Sequence, residues 1–232
     1  MKTFSESFII GKNFKQKTFT YKPKTWDELV SLIEKLLHER GDEPDFNDID
    51  ISEVESLAAI FSNSNIKSVD ISKWDTSHIK NMSYMFSGCI YFNGDVGNLD
   101  VSNVSETFGM FKDCVKFEGK GLDKWNTKNF ENASNMFSRC DILNCDISMW
   151  NVKKLKRCNS MFAGCKNFTA DLGNWNVESL EYAQYMFTNC KNFDAIKLRS
   201  WSKKLPSIFF TLINNRKNMF YNCKTKIIFR RN

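Results

Sequence analysis

Residues 150–168 read WNVKKLKRCNSMFAGCKNF, and close variants of this phrase recur along the chain. The phrase contains Met-Phe-x-x-Cys, which occurs six times, with cysteines spaced by 25, 26, 25, 25 and 33 residues. An Ile60-Phe61 pair stands 25 residues before the first Met-Phe pair and marks a further copy. Self-similarity at a fixed period of roughly 20–50 residues is typical of a repeat array. The sequence therefore predicts a stack of about seven coils, whose cysteines are Cys89, Cys114, Cys140, Cys165, Cys190 and Cys223.

The apolar residues inside one repeat follow the spacing of a helix. Ile79, Met82, Met85 and Phe86 are separated by steps of 3, 3 and 1, which favours a short amphipathic helix over residues 77–87. After a repeated cysteine comes an apolar anchor and then a brief extended piece. One repeat is therefore predicted to be a short helix, a turn, a short parallel strand and a second turn, with its Met, Phe, Cys and Trp side chains buried between coils.

A second repeated position supports turns between these elements. A Trp, or an aliphatic residue in its place, precedes Asp, Asn or Ser in every repeat. The side chains of these polar residues accept hydrogen bonds from nearby backbone N–H groups, which favours helix caps and turns. They are Asp50, Asp75, Asp100, Asn126, Asn151, Asn176 and Ser202.

The two ends of the chain differ from the repeats and are predicted to be caps. Thr25 and Glu28 form a capping-box pattern that opens a helix, and Gly41 ends it. Residues 12–22 alternate around aromatic side chains, as an edge strand does. We therefore assign residues 1–44 to an N-terminal cap with an edge strand and a capping helix, residues 45–223 to the repeats, and residues 224–232 to a C-terminal strand and basic tail.

Length and composition bound the class of protein. The chain has 232 residues, of which 42% are hydrophobic and 26% charged, and this balance is typical of a globular protein. Mean hydropathy is −0.43, and no run approaches the roughly 18 apolar residues of a membrane-spanning helix. Residues 1–15 lack the apolar segment of a secretion signal, so we expect a cytoplasmic location and reduced thiols. Disulfides between the cysteines of neighbouring coils are the alternative.

The repeated phrase resembles that of a known family. The pattern W-[DN]-[VT]-x-x-[VILF], followed by MF-x-x-C-x-x-F, extends over residues 25–223 and is similar to the BspA-type leucine-rich repeats of bacterial surface proteins. The resemblance implies an α/β fold: a leucine-rich-repeat-like solenoid of about seven coils, each with a short helix and a short parallel strand, closed by N- and C-terminal caps. It also implies protein binding, adhesion or host interaction at the cell surface, and no enzyme activity.

The sequence lacks the motifs of metal sites, catalytic nucleophiles and phosphate-binding loops. The sequence has no C-x-x-C pair, and its two histidines, His38 and His78, lie outside the cysteine clusters, which argues against a zinc site. Neither a G-x-S-x-G nucleophile motif nor a phosphate-binding P-loop occurs. We therefore expect a non-enzymatic protein without a metal or cofactor.

Charge is distributed unevenly along the chain. Residues 151–232 hold 16 basic and 4 acidic side chains, a net charge of +12, whereas residues 1–150 hold 17 and 23, a net charge of −6. The densest basic run is KKLKR at residues 153–157, in which four cations surround one inward-facing Leu. A solvated face that keeps the protein soluble is one interpretation of this run, and a patch for an acidic partner is the other.

These observations predict a repeat scaffold that binds another macromolecule through residues outside the repeated core. We expect the partner to be a protein with an acidic surface. A cytosolic regulator or immunity-type inhibitor of another protein is one alternative function, and nucleic-acid binding by the basic end is a second. The candidate binding residues are Lys153, Lys154, Lys156, Arg157, Lys203, Lys204, Tyr91, Lys116, Asn167 and Asn192.

Overall fold

The computed structural model describes residues 19–207 and 218–225. Within these ranges it contains one α-helix, α1 (Trp26–Arg40), and two 3-10 helices, η1 (Leu122–Lys124) and η2 (Ala195–Lys203). No continuous β-strand occurs in the described part of the chain, where neighbouring coils are joined by isolated parallel bridges. Most of the remaining backbone consists of turns that repeat from coil to coil.

Helix α1 confirms the helix predicted after Thr25. The Thr25 hydroxyl accepts the N–H of Glu28 at 3.2 Å, and the helix ends at Gly41, whose φ of 77° only glycine adopts readily. The indole N–H of Trp26 donates to the carbonyl of Ala58 in the first coil at 2.7 Å. The helix therefore covers the first coil, and the side chains that it buries are Leu29, Ile33 and Leu36.

Two predicted strands fall wholly or mostly on residues that the structure does not describe. The edge strand over residues 12–22 lies largely outside the described ranges, and within it Tyr21 makes one parallel bridge with Ile49. The C-terminal strand predicted within residues 224–232 also lies outside them, apart from residues 224 and 225. The division of the chain into two caps and a central array stays a prediction.

The Met-Phe segment is not the predicted helix. In the second repeat Tyr84 has a φ of 60° and Gly88 a φ of 75°, and both values lie in the left-handed region that a right-handed helix excludes. The carbonyls of Met82, Tyr84 and Phe86 each accept from the N–H three residues later, so residues 82–89 form consecutive β-turns. The helical interpretation of the apolar steps is wrong, because successive turns also return side chains to the inner side of the coil.

These turns direct every second backbone N–H at the next coil. The N–H groups of Met82, Tyr84, Phe86 and Gly88 donate to carbonyls of the following repeat at 2.7–2.9 Å. The same four bonds recur in the other coils between residues 57 and 164. An α-helix would use these N–H groups on its own carbonyls. The residues with left-handed backbone therefore prevent a helix, and this leaves the N–H groups free to bind the next coil.

The predicted short parallel strands are replaced by single bridges, so the α/β solenoid is wrong as a description of this fold. A strand needs several consecutive extended residues. Here each bridging residue is flanked by turns or irregular backbone. The stack keeps the predicted period and the parallel direction, and its longest series of bridges joins Ser56, Asn81, Glu106, Asn132, Arg157 and Tyr182.

The repeated aromatic positions are buried as predicted. The Phe of each Met-Phe pair stacks on its equivalent in the next coil, with ring centroids 5.4–5.8 Å apart and interplanar angles of 6–22°. A second column of indole rings has centroids 6.0–6.3 Å apart. The Phe column comprises Phe61, Phe86, Phe111, Phe137, Phe162, Phe187 and Phe220, and the Trp column comprises Trp125, Trp150, Trp175 and Trp201.

The repeated cysteine satisfies a backbone group inside the core. The thiol of Cys140 donates to the carbonyl of Phe111 in the preceding coil at 3.0 Å, and the other five repeated cysteines make the same bond at 2.8–2.9 Å. A thiol is small and largely apolar, yet it supplies a second donor to a buried carbonyl that already accepts a backbone N–H of its own coil. Burial raises the pKa of the Cys140 thiol, so it stays a protonated donor at neutral pH.

Five of the seven turn residues predicted after the Trp positions accept the expected backbone hydrogen bond. Asp50, Asp75, Asp100, Asn151 and Asn176 each accept the N–H two residues later at 2.8–3.2 Å, which is the geometry of an Asx turn. Beside them, the Trp indole N–H groups donate to carbonyls of the preceding coil at 2.8–2.9 Å. These bonds hold neighbouring coils in register on this side of the stack.

Replacing one ring of the Phe column should destabilise the whole stack. Phe162 is buried and its ring centroid lies 5.6 Å from that of Phe137 and 5.5 Å from that of Phe187. We expect Phe162→Ala to lower the free energy of unfolding by about 3–5 kcal/mol, because the coil cannot close around the void. Urea denaturation measures the loss, and Tyr91→Ala, at an exposed position, should change it by less than about 0.5 kcal/mol. An unchanged stability of Phe162→Ala would contradict the buried column.

Glycine substitution distinguishes the turns from a helix. Ser160 has a φ of 54°, whereas Ala163 in the same segment has no positive φ. We expect Ser160→Gly to leave stability unchanged or raise it by up to about 1 kcal/mol, because glycine removes the left-handed strain. Ala163→Gly should cost about 0.5–1 kcal/mol through added chain entropy. Thermal unfolding compares the two variants, and a similar loss in both would favour a helix.

The core thiols should react slowly in the folded protein. Cys114, Cys140 and Cys165 are buried, and burial raises the pKa of each thiol, which leaves almost no thiolate at neutral pH. We expect their labelling by a thiol reagent, followed by peptide mass spectrometry, to track unfolding of the chain. Denaturant should accelerate it strongly. Rapid labelling of all eight cysteines under native conditions would be incompatible with this core.

Candidate partner-binding surface

Ion pairs between neighbouring coils follow one rule. The acid belongs to one coil, and the cation occupies the equivalent position in the next, 25 or 26 residues later, with an N–O distance of 2.5–3.6 Å. In the described part of the chain no ion pair involves a residue beyond Lys166. The pairs that obey the rule are Asp42–Lys67, Asp95–Lys120, Asp113–Arg139, Glu131–Lys156 and Asp141–Lys166.

The basic run at residues 153–157 takes part in this pattern. Lys156 forms an ion pair with Glu131 at 2.9 Å, and its hydrogen bond lowers the pKa of the Glu131 carboxyl. The ammonium of Lys154 donates to the side-chain oxygen of Asn129 at 2.7 Å. Two of the four predicted cations therefore bind side chains of the preceding coil.

The following coil also places acids beside this run. Glu178 and Glu181 occupy the positions equivalent to Lys153 and Lys156, one repeat later. Of the run, Lys153, Lys154 and Arg157 are exposed, whereas Lys156 is half-buried. The structure brings the four predicted cations together on one side of the stack, and acids of the coils before and after them reduce the local charge.

The predicted residues Lys203 and Lys204 differ in exposure and in contacts. Lys203 ends η2 and is exposed, but the ammonium of Lys204 donates to the carbonyls of Gly173 and Trp175 at 3.0 and 3.3 Å. Lys204 therefore joins η2 to the preceding coil. Its role in the structure is to satisfy backbone carbonyls.

Four predicted residues lie in one column on a different part of each coil. We call this surface the post-cysteine face and define it by the residues one, two and four positions after each repeated cysteine. Tyr91, Lys116, Asn167 and Asn192 are the exposed residues at position two. The structure thus brings these four together and separates them from the basic run.

Two adjoining concavities occupy this face. The first is lined by charged side chains, with Arg139, Asp141, Lys166 and Lys191 among them. The second is lined mainly by amide and hydroxyl groups. The two hollows lie on either side of the same backbone segments, because each takes one residue from a consecutive pair. The pairs are Asp141 with Ile142, Lys166 with Asn167, and Lys191 with Asn192.

Hydrogen bonds between coils order the polar hollow. The side-chain oxygen of Asn144 accepts both the N–H and the hydroxyl of Thr169, at 3.2 and 2.9 Å. Two coils earlier, Asn93 accepts the N–H of Glu118 in the same manner at 3.0 Å. These bonds fix side chains on the wall of the hollow before any ligand arrives, which lowers the entropy cost of binding.

The chemistry of the face changes along the stack. Its first coil presents Ile90 and Tyr91, which are 42% and 52% exposed. The later coils present Lys166 and Lys191 at the position of Ile90. The face therefore begins apolar and becomes cationic.

Sequence reasoning missed Arg139, Lys166 and Lys191. These cations are spread over separate repeats and form no run, so local charge density does not reveal them. Alignment of the repeats on their cysteines is the signal that finds them, because Lys166 and Lys191 both come directly after one.

Two further observations concern sites of other kinds. Within residues 19–207 and 218–225, no three His, Cys, Asp or Glu side chains are grouped to hold a metal ion. No helix in those ranges has the length and apolar character needed to cross a membrane.

Comparison with solved structures finds a leucine-rich repeat protein from Eubacterium ventriosum ATCC 27560. The two sequences are 16% identical, and the match covers 81% of this chain with a TM-score of 0.44. This chain spans 44% of the length of that protein. No curated protein matches the sequence.

Comparison with protein families gives a match over most of the chain. A family described as "Mycoplasma protein of unknown function, DUF285" matches residues 31–121 and again residues 109–227. Both matched ranges contain Met-Phe-x-x-Cys phrases. The predicted kinship with a repeat family is supported, and the finer assignment to BspA-type surface repeats stays a prediction. The chain belongs to the family described as Mycoplasma protein of unknown function, DUF285.

Proposed function

We propose that the chain is a non-enzymatic repeat scaffold that binds an acidic segment of another protein on its post-cysteine face. The observation that carries this proposal is the pair of adjoining concavities on one column of coils. The exposed residues of that column differ from coil to coil, while the buried Phe, Cys and Trp positions repeat. Stacked coils hold such residues in a rigid array, which is how repeat proteins present binding surfaces.

The chemistry of the face indicates what the partner carries. Lys191 forms no ion pair within the described residues and lines the charged hollow, while the amide groups of Asn167 and Asn192 line the polar hollow on the other side of the same backbone segments. Carboxylates fit such a group of donors. At the other end Ile90 and Tyr91 offer an apolar contact. The segment that fits is extended, with an apolar side chain at one end and acidic side chains at the other.

The length of that segment follows from the spacing of coils. Equivalent rings in neighbouring coils are 5.4–5.8 Å apart. An extended chain advances about 3.3 Å per residue, so a segment that spans the four coil spacings from Tyr91 to Lys191 contains about seven residues. Adhesion at a cell surface, which the family resemblance implies, and regulation of a cytosolic protein are the two settings that we propose for such binding.

Selection from a random peptide library tests the proposal even though the partner is unidentified. The folded protein is immobilised and exposed to phage-displayed 12-residue peptides at low salt. We expect the enriched peptides to combine Asp or Glu with an aromatic or aliphatic residue. Peptides enriched without acidic residues would overturn the proposal.

Charge reversal then locates the site. Lys116→Glu with Lys191→Glu changes the post-cysteine face, and Lys153→Glu with Arg157→Glu makes an equal change of charge on the basic run. All four positions are exposed, and circular dichroism checks that both variants fold. Fluorescence polarisation of a selected peptide should show at least about tenfold weaker binding for the first variant at low salt, with a smaller difference at high salt.

The second variant is the matched control and also tests the basic run as the binding site. We expect its affinity to stay within about twofold of the parent protein. Loss of binding in this variant alone would move the site to residues 153–157 and contradict the post-cysteine proposal. A labelled single-stranded oligonucleotide serves as a further probe. Tighter binding of the oligonucleotide than of the selected peptide would favour the nucleic-acid function instead.

A further inference from the structure

A second face of the stack is formed by the residues that precede each repeated Trp. We call it the pre-tryptophan face and define it by positions one to six before the Trp or its aliphatic equivalent. The indole N–H of each Trp donates to the carbonyl three residues before the equivalent position of the preceding coil, as in Trp150 to Leu122 at 2.8 Å. These bonds keep the face in register. The residues four positions before the Trp form one column: Asp45, Asp70, Asp95, Gly121, Asp146, Asp171 and Lys197.

The most exposed large apolar side chain of the described chain lies on this face. Met149 is 86% exposed, and it immediately precedes Trp150. Equivalent positions in the other coils carry polar residues: Asp48, Lys73, Asn98, Lys124, Asn174 and Ser200. The stacking of coils does not use the Met149 side chain, so its exposure calls for a partner outside the fold.

A recess lies directly beside Met149. Met149, Ile147 and Cys145 line it together with two glycines, and charged side chains complete its wall: Glu118, Lys120, Asp123 and Asp146. The two glycines, Gly119 and Gly121, have φ values of 95° and 90°, and a side chain on either would collide with a neighbouring coil. The glycines thus let neighbouring coils approach closely at this point, where a protruding apolar group and a hollow adjoin each other on one face.

The two ends of the same face carry opposite charge. At the first coil Glu43 and Asp45 are exposed, and at the last described coil Lys197 and Arg199 are exposed. Between the ends the acids of the column are partly balanced by lysines, as where the carboxylate of Asp95 lies 3.6 Å from the ammonium of Lys120. The face thus has an acidic end, a mixed middle with Met149, and a basic end.

We propose that a second copy of this chain binds this face side by side and antiparallel. An antiparallel copy places the basic end of each protomer against the acidic end of the other, and it does so twice. The same two-fold axis passes beside the central coil, so Met149 of each copy lies against the middle coils of its partner. A parallel pair would instead bring like charges together at both ends. The interface adjoins the post-cysteine face, with which it shares residues such as Asn144, but it concerns a different partner, so the inference goes beyond the proposed function.

Sedimentation velocity tests the association directly. At low salt and high micromolar concentration we expect a species of twice the 27.1 kDa monomer mass, which dissociates on dilution. Met149→Glu should raise the dissociation constant at least about tenfold, because it replaces an apolar contact with a further carboxylate on a face already rich in acids. Tyr91→Glu, an equivalent change at an exposed residue of the other face, should have no effect. A parent protein that stays monomeric, or a dimer unaffected by Met149→Glu, would overturn the proposal.

Charge reversal tests the orientation. Reversal of the basic end by Lys197→Glu with Arg199→Glu should abolish the dimer, because each antiparallel contact then joins two acidic ends. In a parallel pair the two basic ends face each other, so the same change would replace a repulsion between cations with a repulsion between carboxylates. Reversal of the acidic end by Glu43→Lys with Asp45→Lys should also give a monomer. An equimolar mixture of the two variants should regain the dimer, and failure to do so, with both variants folded by circular dichroism, would exclude these contacts.

Discussion

The hydrogen bonds between coils at the Met-Phe turns are the constraint on which the rest of the structure depends. Each coil from residue 57 to residue 164 donates four backbone N–H groups to the next. Those groups are available only because residues such as Tyr84 and Ser160 have positive φ and interrupt any local helix. Once the coils are joined in this way, equivalent side chains must stack on one another. The Phe and Trp columns, the thiol bonds and the ion pairs one repeat apart all follow from that alignment.

The sequence predicts the period and the core because both depend on which side chains recur at equivalent positions. A Phe or a Cys that returns every 25 residues, and an Asn or Asp after each Trp, indicate burial and turns whatever path the backbone takes. The backbone of the Met-Phe segment is harder to predict, because steps of 3, 3 and 1 suit a helix and a series of turns equally. Positive φ is also concealed when the residue is Tyr84 or Arg139 rather than glycine.

The candidate surfaces also differ in how far the sequence reveals them, because a run of charges is visible locally whereas residues brought together from separate repeats are not. The run at residues 153–157 is conspicuous in the sequence, but Lys156 is paired with Glu131 from the preceding coil. Lys191 is inconspicuous, yet it lines a concavity.

The two proposed faces also have a joint consequence. An antiparallel dimer would display two post-cysteine faces, so a partner with two acidic segments would bind with an avidity that neither site has alone.

The indole column gives the molecule an optical property that reports on its mechanics. Trp125, Trp150, Trp175 and Trp201 lie with ring centroids 6.0–6.3 Å apart and interplanar angles of 4–15°. Transition dipoles at that separation couple strongly, so the four rings should behave as one chromophore in near-ultraviolet circular dichroism, and excitation should pass rapidly among them. Coupling of this kind falls steeply with distance. A partner or a mechanical load that separates two coils of this column would therefore change the spectrum as the hydrogen bonds between those coils break.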